Sequence, residues 1–446
     1  MKILPTIGPL NSKKNDLKYL SKNYKIVRLN GSHNTVNWHK RISSNLKKFN
    51  KEITILIDLP GSKPRVKIQE SLLIDKYEEV VFFYGKKPKM NNNKKFIEIS
   101  NPLPKIFKLS FFLVNDNQFV FNFKSKNKNS ITGISRQKFL LENKKGLNLP
   151  GSSYDEKIQR KNVLNFIRKI VASKINFDAI GLSYVQNSNL IKEICKKYPG
   201  ISIVSKIENS LGVKNSEDII INSDAVMIDR GDLSAEIGDQ KLFSKIEEIV
   251  SLGKKFSKPI IMATQNLLSM NRNSTPTQSE IFAIGYANQN NIDMLMLSDE
   301  TAISKKWKNT LIWVKNFIKK TTKEKTTKEN YLDIWSIINN QKKTNIIIFT
   351  KKGYSLNKLN IKKENDYFIF SENKKIRSKV NFYKNVHFNY TKFKKNTFEY
   401  IKQAIKIKSK EIFKNQQPVI LVTILFPKKN SRANTLTLLS KKDYIK

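Results

Sequence analysis

The chain has 446 residues, of which 39% are hydrophobic, so it is long enough for two or three domains with cores of their own. Its 83 Lys and Arg residues against 37 Asp and Glu give a formal charge of +46, which raises nucleic acid or an anionic membrane as a partner. Only ten of the basic residues are Arg, and the lysines are spread along the whole chain. Because phosphate and base readers favour the Arg fork, this surplus indicates a solvated surface without specific nucleic-acid binding.

The chain has a single cysteine, Cys195, which excludes an intrachain disulfide and a zinc site built from cysteines. The N-terminal segment is broken by Pro5, Gly8 and Pro9 before a signal-peptide core could form. The longest apolar run, at 419–426, is too short to span a bilayer. These features predict a cytoplasmic protein with no membrane partner.

Eight short and almost continuously apolar segments predict eight buried strands. Most of them are separated by helix-length segments, which is typical of a parallel α/β sheet. Eight such units predict a (β/α)₈ TIM barrel built from residues 1–64 and 146–320. The predicted strands are at 2–7, 24–30, 53–59, 177–183, 201–207, 225–229, 258–264 and 293–298.

Two further domains are predicted from segments outside the barrel pattern. The connection at 65–145 carries its own β-rich runs at 78–84, 109–115 and 118–123, which predicts an inserted β-rich lid domain. A charged, Thr-rich linker at 319–330 follows the barrel. Beyond it, apolar runs and one helical pattern predict a C-terminal α/β domain at 331–446.

Polar or charged side chains stand at or just after the C-terminal ends of seven predicted barrel strands. A single strand often ends in a polar residue for structural reasons alone. Their repetition around the barrel favours an active face at this end, where TIM barrels carry their catalytic groups. These residues are Arg28, Asn30, Asp58, Ser183, Lys206, Glu208, Arg230, Asp232, Thr264, Ser298 and Glu300.

Two carboxylates at this face, Glu208 and Asp232, follow neighbouring strands. Hard oxygen ligands of this kind suit Mg²⁺ or Mn²⁺. Lys206 lies two residues before Glu208, so both side chains point to the same face of their strand. A divalent ion beside a lysine is typical of phosphoryl transfer, and a Lys–Glu pair that only closes a strand is the structural alternative.

A series of motifs resembles those of the pyruvate kinases, in the same order along the chain. The resemblance implies the same three-part architecture and the transfer of phosphate from phosphoenolpyruvate to ADP, which gives pyruvate and ATP. It also implies a homo-oligomer, a tetramer in that family. The motifs are TIGP at 6–9, RLNGSH at 28–33, DLPGSKPR at 58–65, KKGLNLPG at 144–151, SKIEN at 205–209, RGDL at 230–233, KPIIMATQ at 258–265, PTQSE at 276–280 and LSDET at 297–301.

The resemblance implies a role for each matching residue. Glu208 and Asp232 match the ligands of the divalent ion, Mg²⁺ or Mn²⁺, that bridges phosphoenolpyruvate to the protein. Lys206 matches the lysine that neutralises the transferring phosphoryl group. Arg28 and Arg65 match the two arginines that hold phosphate oxygens under the lid, where planar forks suit that anion.

Other matches concern the substrate carboxylate, the proton and the nucleotide. Thr264 matches the threonine beside the enolate, and the amides of Gly231 and Asp232 at the start of a helix would receive the substrate carboxylate. Pro9, His33 and Lys145, together with Arg65, fall where the family contacts the nucleotide. For the first three of these residues, turn and surface roles are the alternatives.

A monovalent-cation site is also implied by the resemblance, at Asn30, Ser32, Asp58 and the carbonyl of Leu59. Members that require K⁺ usually carry Glu two positions before the arginine that Arg65 matches. This chain has Lys63 there. Its fixed positive charge predicts that K⁺ is not required, and an ordinary surface lysine is the alternative.

The chain also departs from the family pattern. Asp229 stands where the family has Ala and Asp299 where it has Gly; the other departures are Gly31 for Phe, Pro60 for Lys and Gln278 for Arg. TKKGYS at 350–355 only loosely resembles the effector-phosphate loop. Asp229, Asp299 and Gly31 keep open the alternative of an impaired paralogue that binds phosphoenolpyruvate or nucleotide. The charge of +46 keeps open a nucleic-acid-associated protein, and a metal-dependent aldolase or lyase is the third alternative.

Overall fold

In this computed structural model the described residues are 1–88, 94–106, 109–115, 118–321, 334–350, 353, 356, 359–393, 397–415, 417–423 and 435–443.

The first three barrel strands form at the N-terminus. Thr35 starts the second helix by accepting a hydrogen bond from the Trp38 amide at 3.2 Å. The elements are β1 (Lys2–Ile7), α1 (Lys14–Asn23), β2 (Ile26–Asn30), α2 (Val36–Phe49) and β3 (Thr54–Asp58).

The predicted insertion folds as two sheets, one of seven strands in the order β12-β8-β9-β10-β6-β7-β4 and one formed by β5 and β11. Aromatic residues suit a half-buried pleated surface, and the core here is built around Phe82, Phe112 and Phe121. The larger sheet includes Leu147 and Asn148, beyond the predicted boundary at 145. The strands are β4 (Val66–Lys67), β5 (Leu72–Ile74), β6 (Glu79–Phe83), β7 (Lys95–Ile99), β8 (Phe111–Val114), β9 (Phe119–Lys126), β10 (Ser130–Ser135), β11 (Phe139–Leu141) and β12 (Leu147–Asn148).

The barrel then continues with five strands and their helices. Asp155 caps the first of these helices through the Ile158 amide, and Thr277 and Glu280 form a capping box at the helix that begins at Gln278. The elements are α3 (Glu156–Ala172), β13 (Ala179–Leu182), α4 (Asn189–Lys197), β14 (Ser202–Ile207), α5 (Ser210–Lys214), α6 (Ser216–Asn222), β15 (Ala225–Asp229), α7 (Arg230–Ile237), α8 (Asp239–Lys255), β16 (Ile260–Ala263), α9 (Gln278–Gln289), β17 (Met294–Leu297), α10 (Asp299–Ala302) and α11 (Trp307–Thr321).

Eight parallel strands close into a barrel in the order β1-β17-β16-β15-β14-β13-β3-β2. All eight strands predicted from the sequence are confirmed, and so is the TIM-barrel fold. One set of apolar side chains fills the barrel interior, and a larger set packs the strands against the surrounding helices. Because all strands run in the same direction, their C-terminal ends form one face.

A five-stranded sheet follows the barrel, in the order β20-β19-β18-β21-β22, with only β22 antiparallel to its neighbour. Its strands and helices are those of a small α/β unit. Most of the linker at 319–330 and most of the loop at 350–355 lie outside the described residues, as do residues 424–426. The elements are α12 (Ile334–Asn340), β18 (Asn345–Phe349), β19 (Asp366–Ser371), α13 (Lys374–Val380), β20 (Val386–Tyr390), α14 (Thr397–Ile412), β21 (Val419–Thr423) and β22 (Thr435–Leu439).

The segment after α13 covers the N-terminal end of the barrel. Phe382 is fully buried among the side chains of the barrel interior. Next to it, Asn381 Nδ2 donates to Thr54 Oγ1 at 2.8 Å, at the start of β3. Arg377 pairs with Asp178 at 2.8 Å just before β13. The C-terminal unit therefore closes the end of the barrel opposite to the predicted active face.

Within the described ranges, no helix has both the length and the apolar character needed to cross a bilayer.

Candidate active site

Lys206, at the end of β14, is the central cation of the predicted active face. Its ammonium lies 2.6 Å from Glu208 Oε1, 3.4 Å from Asp58 Oδ2 and 3.5 Å from Asp229 Oδ2. Burial opposes its charge, but these three carboxylates hold the pKa of Lys206 above its ordinary value. The lysine therefore carries a fixed positive charge in a nearly dry position.

Three carboxylates converge beside Lys206. One carboxylate oxygen from each of Glu208, Asp229 and Asp232 lies within 4.8 Å of the other two. Glu208 follows β14 and accepts from the Tyr184 amide at 2.6 Å, Asp229 ends β15, and Asp232 lies in the first turn of α7. This all-oxygen donor set suits Mg²⁺ or Mn²⁺. The sequence prediction missed Asp229 as a ligand, although its place at a strand end next to β14 was a signal for it.

The protonation of these acids reflects their crowding. Burial raises the pKa of Glu208 to about 8 against the pull of Lys206, and Asp229 and Asp232 add to the rise. Burial likewise raises the pKa of Asp229, again opposed by Lys206. Glu208 and Asp229 are both buried and both share the Lys206 ammonium, so a bound cation would stabilise their ionised forms.

Lys63 supplies a second cation, at Asp232. Its ammonium lies 2.5 Å from Asp232 Oδ1 and the residue is 2% exposed. Although burial acts in the opposite direction, Lys63 holds the pKa of Asp232 well below its usual range. A side chain at Gly146 would come within 2.3 Å of Lys63 Cε, so it would displace the end of the lysine from this position. The interpretation of Lys63 as a surface lysine is therefore wrong, and its ion pair is with a candidate ligand of the divalent ion.

Arg28, on β2, is held by buried partners. Its Nε and Nη2 atoms lie 3.0 and 2.9 Å from Asp58 Oδ2, and Nη1 donates to Thr6 Oγ1 at 3.0 Å. The same Nη1 lies 3.3 Å from Asp299 Oδ2. The guanidinium is thus fixed at the active face, where the sequence predicted a phosphate-binding arginine.

The four residues of the predicted monovalent-cation site lie at two adjacent strand ends, because β2 pairs with β3 in a register that sets Asn30 opposite Asp58. Asn30 Oδ1 accepts from the Ser32 amide at 3.0 Å, and its Nδ2 donates to Asp299 at 2.7 Å. The carbonyl of Leu59 accepts from Ser183 Oγ at 2.8 Å. The structure brings these groups together, and the site remains a prediction.

Thr264 follows β16 in a left-handed conformation, with φ of 55°, which is unusual for a β-branched residue. Arg230 holds this turn through the carbonyl of Thr264 at 2.5 Å and Asn266 Oδ1 at 2.7 Å. The hydroxyl of Thr264 accepts from the Gly231 amide at 3.1 Å. The hydroxyl thus lies at the amide that was predicted to receive a substrate carboxylate. The clamp made by Arg230 was not predicted.

The residues predicted to contact a nucleotide lie at the rim of this face. Pro9 and His33 are exposed and follow the adjacent strands β1 and β2. Arg65 is exposed, donates to the Lys144 carbonyl at 3.2 Å and pairs through its backbone with Gly146. Lys145 pairs with Glu142 at 2.8 Å. Arg65 and Lys145 are therefore neighbours where the insertion joins the barrel, and their contact with a nucleotide remains a prediction.

Comparison with known proteins supports one family. A family model described as "Pyruvate kinase, barrel domain" matches residues 1–310. Proteins named "Pyruvate kinase" from Buchnera aphidicola subsp. Schizaphis graminum and from Methanocaldococcus jannaschii are each 32% identical, over 70% and 68% of this chain and 67% and 65% of their own lengths. The one from Thermotoga maritima is 29% identical over 68% of this chain and 67% of its length. The match thus spans about two thirds of these relatives.

The family model covers more than half of the chain and the whole of the closed barrel, including every strand end that carries the candidate site. The chain therefore belongs to the pyruvate kinase family.

Proposed function

We propose that the chain transfers the phosphoryl group of phosphoenolpyruvate to ADP and yields ATP and pyruvate. The observation that carries the proposal is the position of Lys206, whose buried ammonium lies between Asp58 and the candidate metal ligands Glu208 and Asp229. A preorganised positive charge at this point would stabilise the negative charge of the migrating phosphoryl group. Membership of the pyruvate kinase family supports the same assignment.

Glu208 and Asp232, joined in this chain by Asp229, would hold Mg²⁺ or Mn²⁺. When bound, the ion supplies Lewis-acid charge to the substrate oxygens. Arg28 would bind phosphate oxygens from the barrel side, and Arg65 would bind them from the rim where the insertion begins. The amides of Gly231 and Asp232 would receive the substrate carboxylate, which would replace Thr264 Oγ1 as the acceptor of the Gly231 amide.

The product side of the reaction needs one proton. Transfer of the phosphoryl group to ADP leaves the enolate of pyruvate, which takes a proton at C3 to become pyruvate. The hydroxyl of Thr264 lies at the end of β16 beside the Gly231 amide, and we assign to it the orientation of the water that delivers this proton. Pro9, His33, Arg65 and Lys145 would contact ADP at the rim.

The direct test is a coupled assay of pyruvate formation with phosphoenolpyruvate, ADP and Mg²⁺. We expect pyruvate and ATP to form in equal amounts. Activity should disappear in excess EDTA and return with Mg²⁺ or Mn²⁺, because without a bound cation the carboxylates of the site do not compensate the negative charge of the phosphoryl group. The control is the same assay without ADP.

Two results would contradict this proposal. Binding of phosphoenolpyruvate without formation of pyruvate would indicate the impaired paralogue, and release of pyruvate and inorganic phosphate in the absence of ADP would indicate a phosphatase or lyase activity.

We further propose that K⁺ is not required. Lys63 stands where members that require K⁺ usually carry Glu, and its ammonium at Asp232 brings a fixed positive charge to the active face, where it can help to neutralise the substrate phosphate without K⁺. Initial rates in K⁺-free buffer with a bulky organic counterion should not change when KCl is titrated at constant ionic strength. Lys63→Glu should acquire a K⁺ requirement, and the exposed Lys14→Glu should behave like the wild type. Activation of the wild type manyfold by K⁺ would refute this role of Lys63.

The remaining partners follow from the same assignment. We propose a cytoplasmic homo-oligomer that has no specific nucleic-acid or membrane partner. Phe282, on α9 near the departure at Gln278, is 77% exposed, and an exposed aromatic side chain on a barrel helix is consistent with a subunit contact.

A further inference from the structure

Asp299 contacts two residues of the proposed phosphate and cation sites. It is the first residue of α10, directly after β17 and Ser298. Its Oδ2 atom accepts from Asn30 Nδ2 at 2.7 Å and lies 3.3 Å from Arg28 Nη1. Its carboxylate therefore touches both the proposed phosphate-binding arginine and the proposed cation site.

The donors of Arg28 are almost fully used. A guanidinium has five N–H groups, and Asp58 takes the one on Nε and one on Nη2, while Thr6 and Asp299 take the two on Nη1. A phosphate that binds Arg28 in the bidentate manner needs two donors on the same side of the fork. Nη1 is therefore available to a phosphate only when Thr6 or Asp299 gives up its hydrogen bond.

The exposure of these partners distinguishes Asp299 from the others. Asp58 and Thr6 are 3% and 2% exposed, whereas the side chain of Asp299 is 38% exposed. Asp299 thus stands on the solvent side of Arg28, from which a substrate would arrive. Burial favours the neutral acid, but Arg28 and Asn30 keep the pKa of Asp299 below its ordinary value. Its negative charge faces the approach of an anion.

We propose that Asp299 is a specificity-determining residue of the phosphate subsite, where its carboxylate competes with the substrate phosphate for Nη1 of Arg28. The inference rests on the proposed function, because that function assigns phosphate binding to Arg28. The phosphate displaces Asp299 from Arg28 and Asn30 when it binds. The competition lowers affinity for phosphoenolpyruvate and leaves ligands without a phosphate unaffected.

The test is isothermal titration calorimetry with two probes in Mg²⁺ buffer, phosphoenolpyruvate and oxalate. Oxalate carries two carboxylates, which can bind a metal and the carboxylate site, and it has no phosphate. Asp299→Asn keeps the shape of the side chain and removes its charge, and Asp299→Gly removes the side chain. We expect both variants to bind phosphoenolpyruvate at least about tenfold more tightly than the wild type, and oxalate with less than about a twofold change. Asp218→Asn, an exposed acid on α6, removes the same charge far from the site and should change neither affinity.

The outcomes separate this inference from the proposed function. Unchanged or weaker binding of phosphoenolpyruvate in both Asp299 variants overturns the inference, whether or not the wild type forms pyruvate. An equal gain in affinity for oxalate also overturns it, because the loss of the negative charge would then favour any anion and not the phosphate in particular. Tighter binding of phosphoenolpyruvate alone supports the inference even if the wild type forms no pyruvate, in which case only the proposed function fails. Circular dichroism of each variant verifies that it is folded.

Discussion

Replacing Glu208 with Ala is expected to abolish metal-dependent pyruvate formation, and Asp232→Ala should do the same. Each substitution removes one of three converging carboxylates from a site that has few protein ligands for a divalent ion. Affinity for Mn²⁺, measured by electron paramagnetic resonance in the absence of substrate, should fall together with the rate. The two measurements connect the loss of activity to the loss of the ion.

A matched control is Glu217→Ala, which removes an exposed carboxylate paired with Lys255 on the outside of the barrel. It should retain both the rate and the affinity for Mn²⁺. Because Glu208 is buried, its removal also relieves crowding among the remaining acids, so we expect a folded protein. Undiminished turnover or undiminished Mn²⁺ binding in both active-face variants would disprove the metal assignment.

Lys206→Met should reduce turnover by on the order of a hundredfold or more while changing substrate affinity much less. The reason is that the ammonium is already fixed by Asp58, Glu208 and Asp229 in the ground state. Its interaction with the substrate strengthens most when negative charge builds up on the migrating phosphoryl group. Steady-state kinetics should therefore show a fall in kcat with a small change in KM.

The control for this variant is Lys258→Met. Lys258 is half-buried at the opposite end of the barrel, where it donates to the Ser223 carbonyl at 2.6 Å, and its replacement should leave kcat unchanged. If Lys206→Met raised KM strongly and preserved kcat, Lys206 would be a binding residue without a role in the transition state. A thermal melt of each variant separates both results from unfolding.

The barrel was predictable because the burial of each strand is encoded in a few consecutive residues. A parallel strand covered by helices is buried on both faces, so segments such as Ile260–Ala263 and Met294–Leu297 are buried throughout and read as continuous apolar runs. Once eight such strands close, the direction of the chain alone sends their C-terminal ends to one face. The positions of Lys206, Glu208 and Asp232 at that face therefore follow from the sequence.

The sequence did not reveal the contacts between these ends. That Lys63 would reach Asp232, and Asp299 would reach Arg28, depends on side-chain directions across segments far apart in the chain. For Lys63 it also depends on the close approach of the Gly146 backbone. Periodicity reports which face a residue lies on, but it does not report which partner that residue meets.

The sequence by itself thus determined the number and order of the barrel strands and the face at which the candidate catalytic residues gather, because burial and chain direction are encoded over a few residues. Only the tertiary structure decided the charge balance of that face, where Asp229 joins the candidate metal ligands and Asp299 lies against Arg28. It alone also placed Phe382 in the barrel interior. These features are pairings between distant residues, and they arise only when packing brings those residues within a few ångströms.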